Sequence, residues 1–482
     1  MPPKREGLFK YLDYKTVALY LVLVIIGWLT IYAAGYDIQS AATFDIHGRT
    51  GSQLMWMGIT LVAIVGVLAV DDQFLKRSSP PLYFLTILIL IATVILAPDI
   101  KGSHSWLVVT ESIRIQPAEF AKVTTSMMLA YWCSRYEFSI HYRRDLLIAL
   151  LIFVVPMVII ILQNETGSAI VFLVFLLVLY REGLTGSILS YGVFLALLFV
   201  LSIRFAEVSW GHTRAGELVA YLVIYLATFV ACESYSRIRY ARLVAGILLP
   251  LSLLTSYIIS LFTPVDFSIG VLLALIAYIL FLTVSLFTTQ ARNLLLIIAF
   301  AVSSIALHKG MDYFFENVLQ YHQQTRILVT LGLKDDPKGA GYNVNQSVIA
   351  IGSGGLTGKG FLNGTQTKLE FVPEQDTDFI FCTIGEEGGF LGTTMVLILY
   401  LMLLMRLLVI AERQTDPYSR IYGYSVATIF FFHLAVNIGM VIGITPVIGI
   451  PLPFFSYGGS SFLSFSLLLF IFLRLDAARR EE

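Results

Sequence analysis

Hydrophobic residues along this chain come in long unbroken runs parted by short polar breaks, and the runs match the thickness of a bilayer. A helix needs about 20 apolar residues to cross a hydrocarbon core. That template fits near 17–35, 53–70, 81–98, 116–132, 145–163, 166–180, 186–203, 216–232, 240–262, 268–288, 293–308, 377–410, 422–444 and 460–473. The pattern predicts an all-α, polytopic membrane protein with about 14 transmembrane helices. One stretch breaks the rhythm. From Leu333 to Gly392 the chain turns polar and glycine-rich, and because loops carry chemistry while spans carry burial, it reads as a working surface held by a helical frame.

Composition agrees. The 482 residues are 57% hydrophobic and only 13% charged, whereas soluble chains hold about 25% charged residues. A net charge of zero offers no basic face for nucleic acid. No Walker, G-x-G-x-x-G or H-E-x-x-H run is present, so nucleotide-driven transport and zinc hydrolysis lack local support. Cys133, Cys232 and Cys382 stand in or beside spans at no metal-ligand spacing and read as unpaired thiols. With the N-terminus placed inside, most Lys and Arg fall in inner segments, Arg135, Arg143, Arg144, Arg181, Arg237, Arg239, Arg242 and Arg292 among them. The short outer loops keep only Arg49, Lys101, Arg114, Arg204 and Arg214. Both termini are therefore expected to face the cytoplasm and the 335–374 loop to face outward. The basic start leads straight into a span with no cleavable signal pattern.

Ionisable groups at membrane depth are functional candidates by default. Gln116, Glu119 and Lys122 lie in IRIQPAEFAKV, and the i, i+3 spacing of the last two lets them pair. Two readings stay open: a structural ion pair, or a polar cavity in which Arg114 and Lys122 hold a phosphate. Glu165 stands between two spans, where it caps a helix or lines a cavity shaped by the kink expected at Pro156. Asp335 and Asp336 precede Pro337, Gly339 and Gly341, a turn signal whose carboxylates could also serve as a general base. Gly352, Gly354, Gly355, Gly358 and Gly360, with Lys359 among them, suit a tight re-entrant loop or amides aimed at an anion. Glu374, Asp376, Asp378, Glu386 and Glu387 gather before the next span, as partners for cations or as oxygens for a divalent ion such as Mg or Mn. In PLPFFSYGGSS, Ser456, Gly458, Gly459, Ser460 and Ser461 form either a helix start or a backbone lining for the outer cavity.

Four of these runs resemble one known family. IQPAEFAK (115–122), DDPKGAGYNVNQSVIAIGSGGLTGKGFLNGTQTKLEF (335–371), PEQDTDFIFCTIGEEGGFLG (373–392) and PLPFFSYGGSS (451–461) look like the shape, elongation, division and sporulation (SEDS) family. The GKG-x-x-x-GTQ form at 358–366 is closer to its elongation branch, the RodA type, than to its division branch, the FtsW type. The resemblance covers about 1–203 and 310–482, the N-terminal and C-terminal parts of a membrane core of ten helices. The tract 204–309 then reads as an inserted segment of about four further spans.

The resemblance implies a peptidoglycan glycosyltransferase of the bacterial cytoplasmic membrane that polymerises lipid II on the outer face during elongation. It implies Asp336 as the catalytic base, and a substrate site drawn from Arg114, Gln116, Glu119, Lys122, Glu165, Lys359 and the 456–461 segment. The implied partners are lipid II, a class B penicillin-binding protein that crosslinks the product, and the elongation machinery. A divalent ion would help to screen the donor diphosphate. The alternatives are a lipid II flippase, a non-enzymatic scaffold or an FtsW-like division polymerase. Two departures stand out. Gln163-Asn164-Glu165-Thr166-Gly167 replaces the usual Gln-Pro-Asp-Leu-Gly, and Arg326 alone remains of the basic pair before the catalytic loop.

Overall fold

The apolar runs fold as helices because a helix satisfies every backbone polar group within its own segment, as a membrane interior requires. The computed structural model describes residues 11–481 apart from 37–47, 101, 109–113, 207, 237, 239, 290, 292, 335, 337–339 and 370. Asp335, Pro337, Gly339, Arg237, Arg239, Arg292 and Lys101 thus lie outside the described residues. The chain divides into two units, one of 1–185 with 337–482 and one of 186–336.

In chain order the first unit begins with α1 (Tyr14–Ala34), α2 (Arg49–Ala69) and α3 (Asp72–Leu96), followed by a small hairpin of β1 (Leu107–Val108) and β2 (Arg114–Ile115). It continues through α4 (Pro117–Cys133), α5 (Arg143–Leu162), α6 (Thr166–Val171) and α7 (Phe175–Arg181). The second unit holds α8 (Gly186–Arg204), the hairpin of β3 (Ser209–Trp210) and β4 (Thr213–Arg214), α9 (Ala215–Tyr235), α10 (Ala241–Ser260), α11 (Phe267–Thr289), α12 (Asn293–Tyr313) and α13 (Tyr321–Thr330). The first unit resumes with α14 (Ala340–Gly354), α15 (Thr365–Lys368), α16 (Ile380–Glu412), α17 (Pro417–Val441) and α18 (Gly459–Glu481).

Among the described residues, 12 helices are long and apolar enough to cross a membrane. The expected count of 14 is therefore not met by length and composition. The two expected spans that fall short are α4, 17 residues long and carrying Glu119 and Lys122, and Thr166–Arg181, where a 3-10 turn at Phe172–Val174 interrupts the helix. The long segment expected as a loop is largely structured too: α14 packs against α16 and α17, and the Ser347 hydroxyl donates to the Val441 carbonyl at 2.9 Å.

In the first unit α1 packs on α16, α2 on α18, and α4 against α3, α5, α17 and α18. Its core includes Phe153, Phe172, Phe175, Phe465 and Phe472, all buried. Phe454 adopts φ +68°, a left-handed conformation that costs an L-residue about 1–2 kcal/mol. Edge-to-face contacts with Tyr20 at 5.1 Å and Phe430 at 5.5 Å offset it, at about 0.5–1.5 kcal/mol per pair. The chain turn before α18 is thus fixed by aromatic packing. The second unit has its own core of Tyr221, Ile224, Tyr225, Leu275, Tyr278 and Leu282, and the buried Tyr225 hydroxyl donates to the Ala245 carbonyl at 2.8 Å.

Candidate active site

Within the first unit the polar residues at membrane depth converge on α4 and α17. Pro117 starts α4 at a position where no backbone donor is needed, and the helix then presents Glu119 and Lys122 inward. Lys122 is 1% exposed and Glu119 2%, and Lys122 Nζ donates to Glu119 Oε1 at 2.9 Å. His433 completes the cluster. Its Nε2 lies 3.0 Å from Lys122 Nζ and its Nδ1 3.0 Å from the Pro451 carbonyl. An ammonium only donates and a carbonyl only accepts, so both contacts are made by a neutral imidazole protonated on Nδ1. Phe465 roofs the group, with its ring centroid 4.8 Å from Lys122 Nζ and 4.8 Å from the His433 ring.

One turn along α17, Asn437 Nδ2 donates to the Asp378 carbonyl at 2.8 Å and the Ile450 carbonyl at 2.7 Å. Ser464 on α18 donates to the Glu119 carbonyl at 2.6 Å. These bonds tie three helices and the irregular 450–458 backbone into one frame. His433 and Asn437 were not singled out from the sequence. The signal was there, two polar side chains at i, i+4 in the apolar run FFFHLAVNIGM.

Lys122 therefore does not stand on an open cavity wall as a phosphate ligand; its charge is enclosed and committed to Glu119 and His433. Arg114 lies apart from that enclosure, exposed on β2, and Gln116 is the half-buried residue before α4, making no side-chain cap bond. Glu165 precedes α6 without capping it. Its Oε1 accepts from Ser103 at 3.1 Å and Ser105 at 2.8 Å, which ties this segment to the 103–105 turn instead. Gly167 packs so closely on the Ile448 carbonyl that no Cβ fits there. Ser456, Ser460 and Ser461 are buried rather than lining an open cavity. The Leu452 amide donates to Ser456 Oγ at 2.7 Å, and Ser461 Oγ donates to the Gly458 carbonyl at 3.1 Å. Gly459 faces the Trp56 indole with no room for a side chain.

The glycine-rich run is a docking strip for α16. Gly389 breaks that helix at φ 62°, ψ −159°, a conformation open essentially to glycine alone. Across the break, the amides of Lys359 and Gly360 donate to the Glu386 and Glu387 carbonyls at 3.0 Å each, and the Phe390 amide donates to the Gly355 carbonyl at 2.9 Å. Those two strip amides are spent on backbone and are not aimed at an anion. Lys359 Nζ reaches Glu386 Oε1 at 2.7 Å and Thr365 Oγ1 at 2.7 Å. The Glu386 carboxylate, wholly buried, also accepts the amides of Thr365, Gln366 and Thr367 at 2.8–2.9 Å.

The acids before α16 are dispersed in the same way. Arg49 pairs with Asp376, and the Tyr457 amide donates to the Asp376 carbonyl at 2.8 Å. Among the described residues no three His, Cys, Asp or Glu side chains converge as a metal site. Among those residues, then, no such cluster stands ready for Mg or Mn. Asp336 belongs to the second unit and is half-buried; two positions before it, Lys334 Nζ donates to the Tyr321 hydroxyl at 3.0 Å. That contact holds the exposed Tyr321 phenol below its ordinary pKa.

Long apolar helices around a buried polar frame define a polytopic membrane protein. The profile of the FtsW, RodA and SpoVE family, described as cell cycle proteins, matches residues 14–215 and 215–481, and the chain belongs to that family. A relative from Treponema pallidum (strain Nichols) named peptidoglycan glycosyltransferase RodA is 30% identical over 449 residues, 93% of this chain and 94% of the relative. Peptidoglycan glycosyltransferase MrdB of Escherichia coli (strain K12) is 47% identical over 167 residues, 35% of this chain and 45% of that protein. The fold is similar to a chain in a solved peptidoglycan synthase complex, with TM-score 0.61 at 20% identity, covering 98% of this chain and 100% of that one. It is also similar to the crystal structure of Thermus thermophilus rod shape determining protein RodA, with TM-score 0.53 at 19% identity over 99% and 100% of the two chains. The chain is thus a multi-pass bacterial membrane protein of the SEDS family.

Proposed function

We propose that this chain is a peptidoglycan glycosyltransferase of the RodA type that polymerises lipid II at the outer face of the cytoplasmic membrane. The observation that carries the reading is the nearly full-length relation to a protein named for that activity. The DPKGAGY run from Asp336 to Tyr342 and the QPAEFAK helix are the family features that support the site. In this reading the Asp336 carboxylate takes the proton of the acceptor sugar hydroxyl. The freed oxygen attacks the anomeric carbon of the donor, a glycosidic C–O bond forms, and the bond to the diphosphate breaks, releasing undecaprenyl diphosphate. The leaving group supplies the driving force, so no nucleotide enters.

Arg114, exposed beside the α4 start, offers a planar guanidinium to the donor diphosphate, with Gln116 next to it. Glu119 and Lys122 support the reaction from within the frame. Glu165, Lys359 and the 456–461 segment shape the surrounding backbone. Both termini lie in the cytoplasm and the segment containing Asp336 outside, following the Lys and Arg bias. The partner is a class B penicillin-binding protein of the elongation machinery, whose transpeptidase crosslinks the strands.

The test is glycan synthesis from labelled lipid II by the purified chain with its transpeptidase partner, comparing wild type with Asp336→Ala. Polymer from wild type alone supports the reading. Full polymer from Asp336→Ala overturns the base assignment. Transbilayer movement of lipid II without polymer from either protein transfers the function to a flippase.

A further inference from the structure

Away from the candidate active site, the 134–142 turn between α4 and α5 opens onto a cavity of about 520 Å³. Three guanidinium groups line it, those of Arg135, Arg143 and Arg144. None of the three has a carboxylate within salt-bridge distance among the described residues, whereas Arg49, Arg181, Arg406, Arg413 and Arg420 of the same unit are all paired. The two acids of the lining, Glu137 and Asp145, form no ion pair with them. Asp145 Oδ2 accepts the Ser139 amide at 3.1 Å, bracing the turn, and Glu137 is exposed. Arg135 is held in place, its guanidinium 4.4 Å from the Trp132 ring centroid, while Trp132 Nε1 donates to the Asp145 carbonyl at 3.4 Å.

Two further features say what kind of anion this cavity suits. Tyr131, Tyr136 and Tyr142 join Trp132 around the turn, at 37%, 104% and 66% exposure, and such amphipathic rings gather at the headgroup level of a bilayer. Directly after Arg143 and Arg144, α5 presents exposed Leu147, Leu151, Val155, Val158 and Leu162 at i+4 and i+3 steps. That apolar stripe runs away from the cavity along one face of the helix. A free phosphate would use only the cavity. An amphiphile uses the guanidinium groups, the aromatic ring and the stripe together.

We propose that this cavity binds the phosphate headgroup of an anionic phospholipid of the inner leaflet, with its acyl chains lying along α5. Guanidinium forks match phosphate oxygens in pairs, and basic pockets between transmembrane helices on the cytoplasmic side suit such headgroups. The proposal does not depend on the polymerase reading, and its test reads lipid binding, not glycan synthesis.

The full-length protein, purified in a non-ionic detergent, is titrated with dioctanoyl phosphatidylglycerol, dioctanoyl phosphatidylcholine or inorganic phosphate and followed by native mass spectrometry. Saturable binding of the phosphatidylglycerol is expected, with weaker binding of the zwitterionic lipid. At about fivefold per arginine, the Arg135→Gln/Arg143→Gln/Arg144→Gln variant should bind it about a hundredfold more weakly. The single variants Arg143→Gln and Arg144→Gln give the same sign in a protein altered at one exposed position. Equal binding of the two lipids, or wild-type affinity in the single and triple variants, would overturn the proposal. Displacement of the lipid by millimolar inorganic phosphate would assign the cavity to free phosphate and overturn the lipid occupant.

Discussion

Glu386 gives the sharpest energetic prediction. Its carboxylate is wholly buried and holds Lys359 Nζ at 2.7 Å, the Thr365, Gln366 and Thr367 amides at 2.8–2.9 Å and the Thr367 hydroxyl at 2.9 Å. Glu386→Ala strands three backbone donors and an ammonium at once, a loss of about 3–5 kcal/mol by analogy with broken buried ion pairs. Lys359→Met leaves the amides in place, and because Lys359 is 26% exposed its loss should cost only about 1 kcal/mol. Limited proteolysis reads this locally, since trypsin can cut after Lys359 and Lys368 only when the strip opens. At about 1.4 kcal/mol per factor of ten, cleavage there should accelerate a hundredfold or more in Glu386→Ala and less than tenfold at Lys368 in Lys359→Met. Equal acceleration at Lys368 in the two variants would refute the idea that the amide cradle, and not the lysine, anchors the strip.

Other substitutions probe the frame. Gly459→Ala drives a methyl into the Trp56 indole and should destabilise the purified protein by about 1–3 kcal/mol in a melt, relieved when Trp56→Ala is added. His433→Phe removes a partner from Lys122 and from the Pro451 carbonyl, a cost of about 1–3 kcal/mol, and should lower both melting temperature and polymer yield. Burial of Asp13 works against its charge, yet Arg406 and Thr16 outweigh this and hold its carboxyl well below the usual carboxylate range. A depressed folded-state pKa stabilises above the unfolded value, about pH 4, and that stability drains away as the pH falls toward the folded value. Asp13→Asn should flatten this acid-side decline in a pH series of melts.

Much of this was legible because membrane helices are written in composition. Every expected span coincides with a helix, and the two that fall short of spanning length and apolarity among the described residues are α4, which carries two charges, and 166–181, which is interrupted. Glu119 and Lys122 pair as their i, i+3 spacing allows. What the sequence hid was long-range partnership. Arg49 with Asp376, Arg406 with Asp13 and His433 with Lys122 join positions hundreds of residues apart, and no local spacing encodes them. The glycine run was ambiguous for a different reason. Glycine permits close approach to an anion or to another backbone, and only the break at Gly389 decides between them. The 204–309 tract lies inside a wider unit of 186–336 that reaches Asp336, a grouping that apolar runs cannot reveal.

The proposed chemistry turns on one carboxylate, and gel analysis of glycan chains tests it most directly. Labelled lipid II is given to the purified chain with the proposed transpeptidase partner, and wild type is compared with Asp336→Asn, which removes the proposed base while keeping the side chain's size. Loss of a general base typically costs about 10²–10⁴ in rate, so polymer is expected from wild type and at most a trace from the variant. Wild-type polymer from a folded Asp336→Asn protein would contradict the assignment.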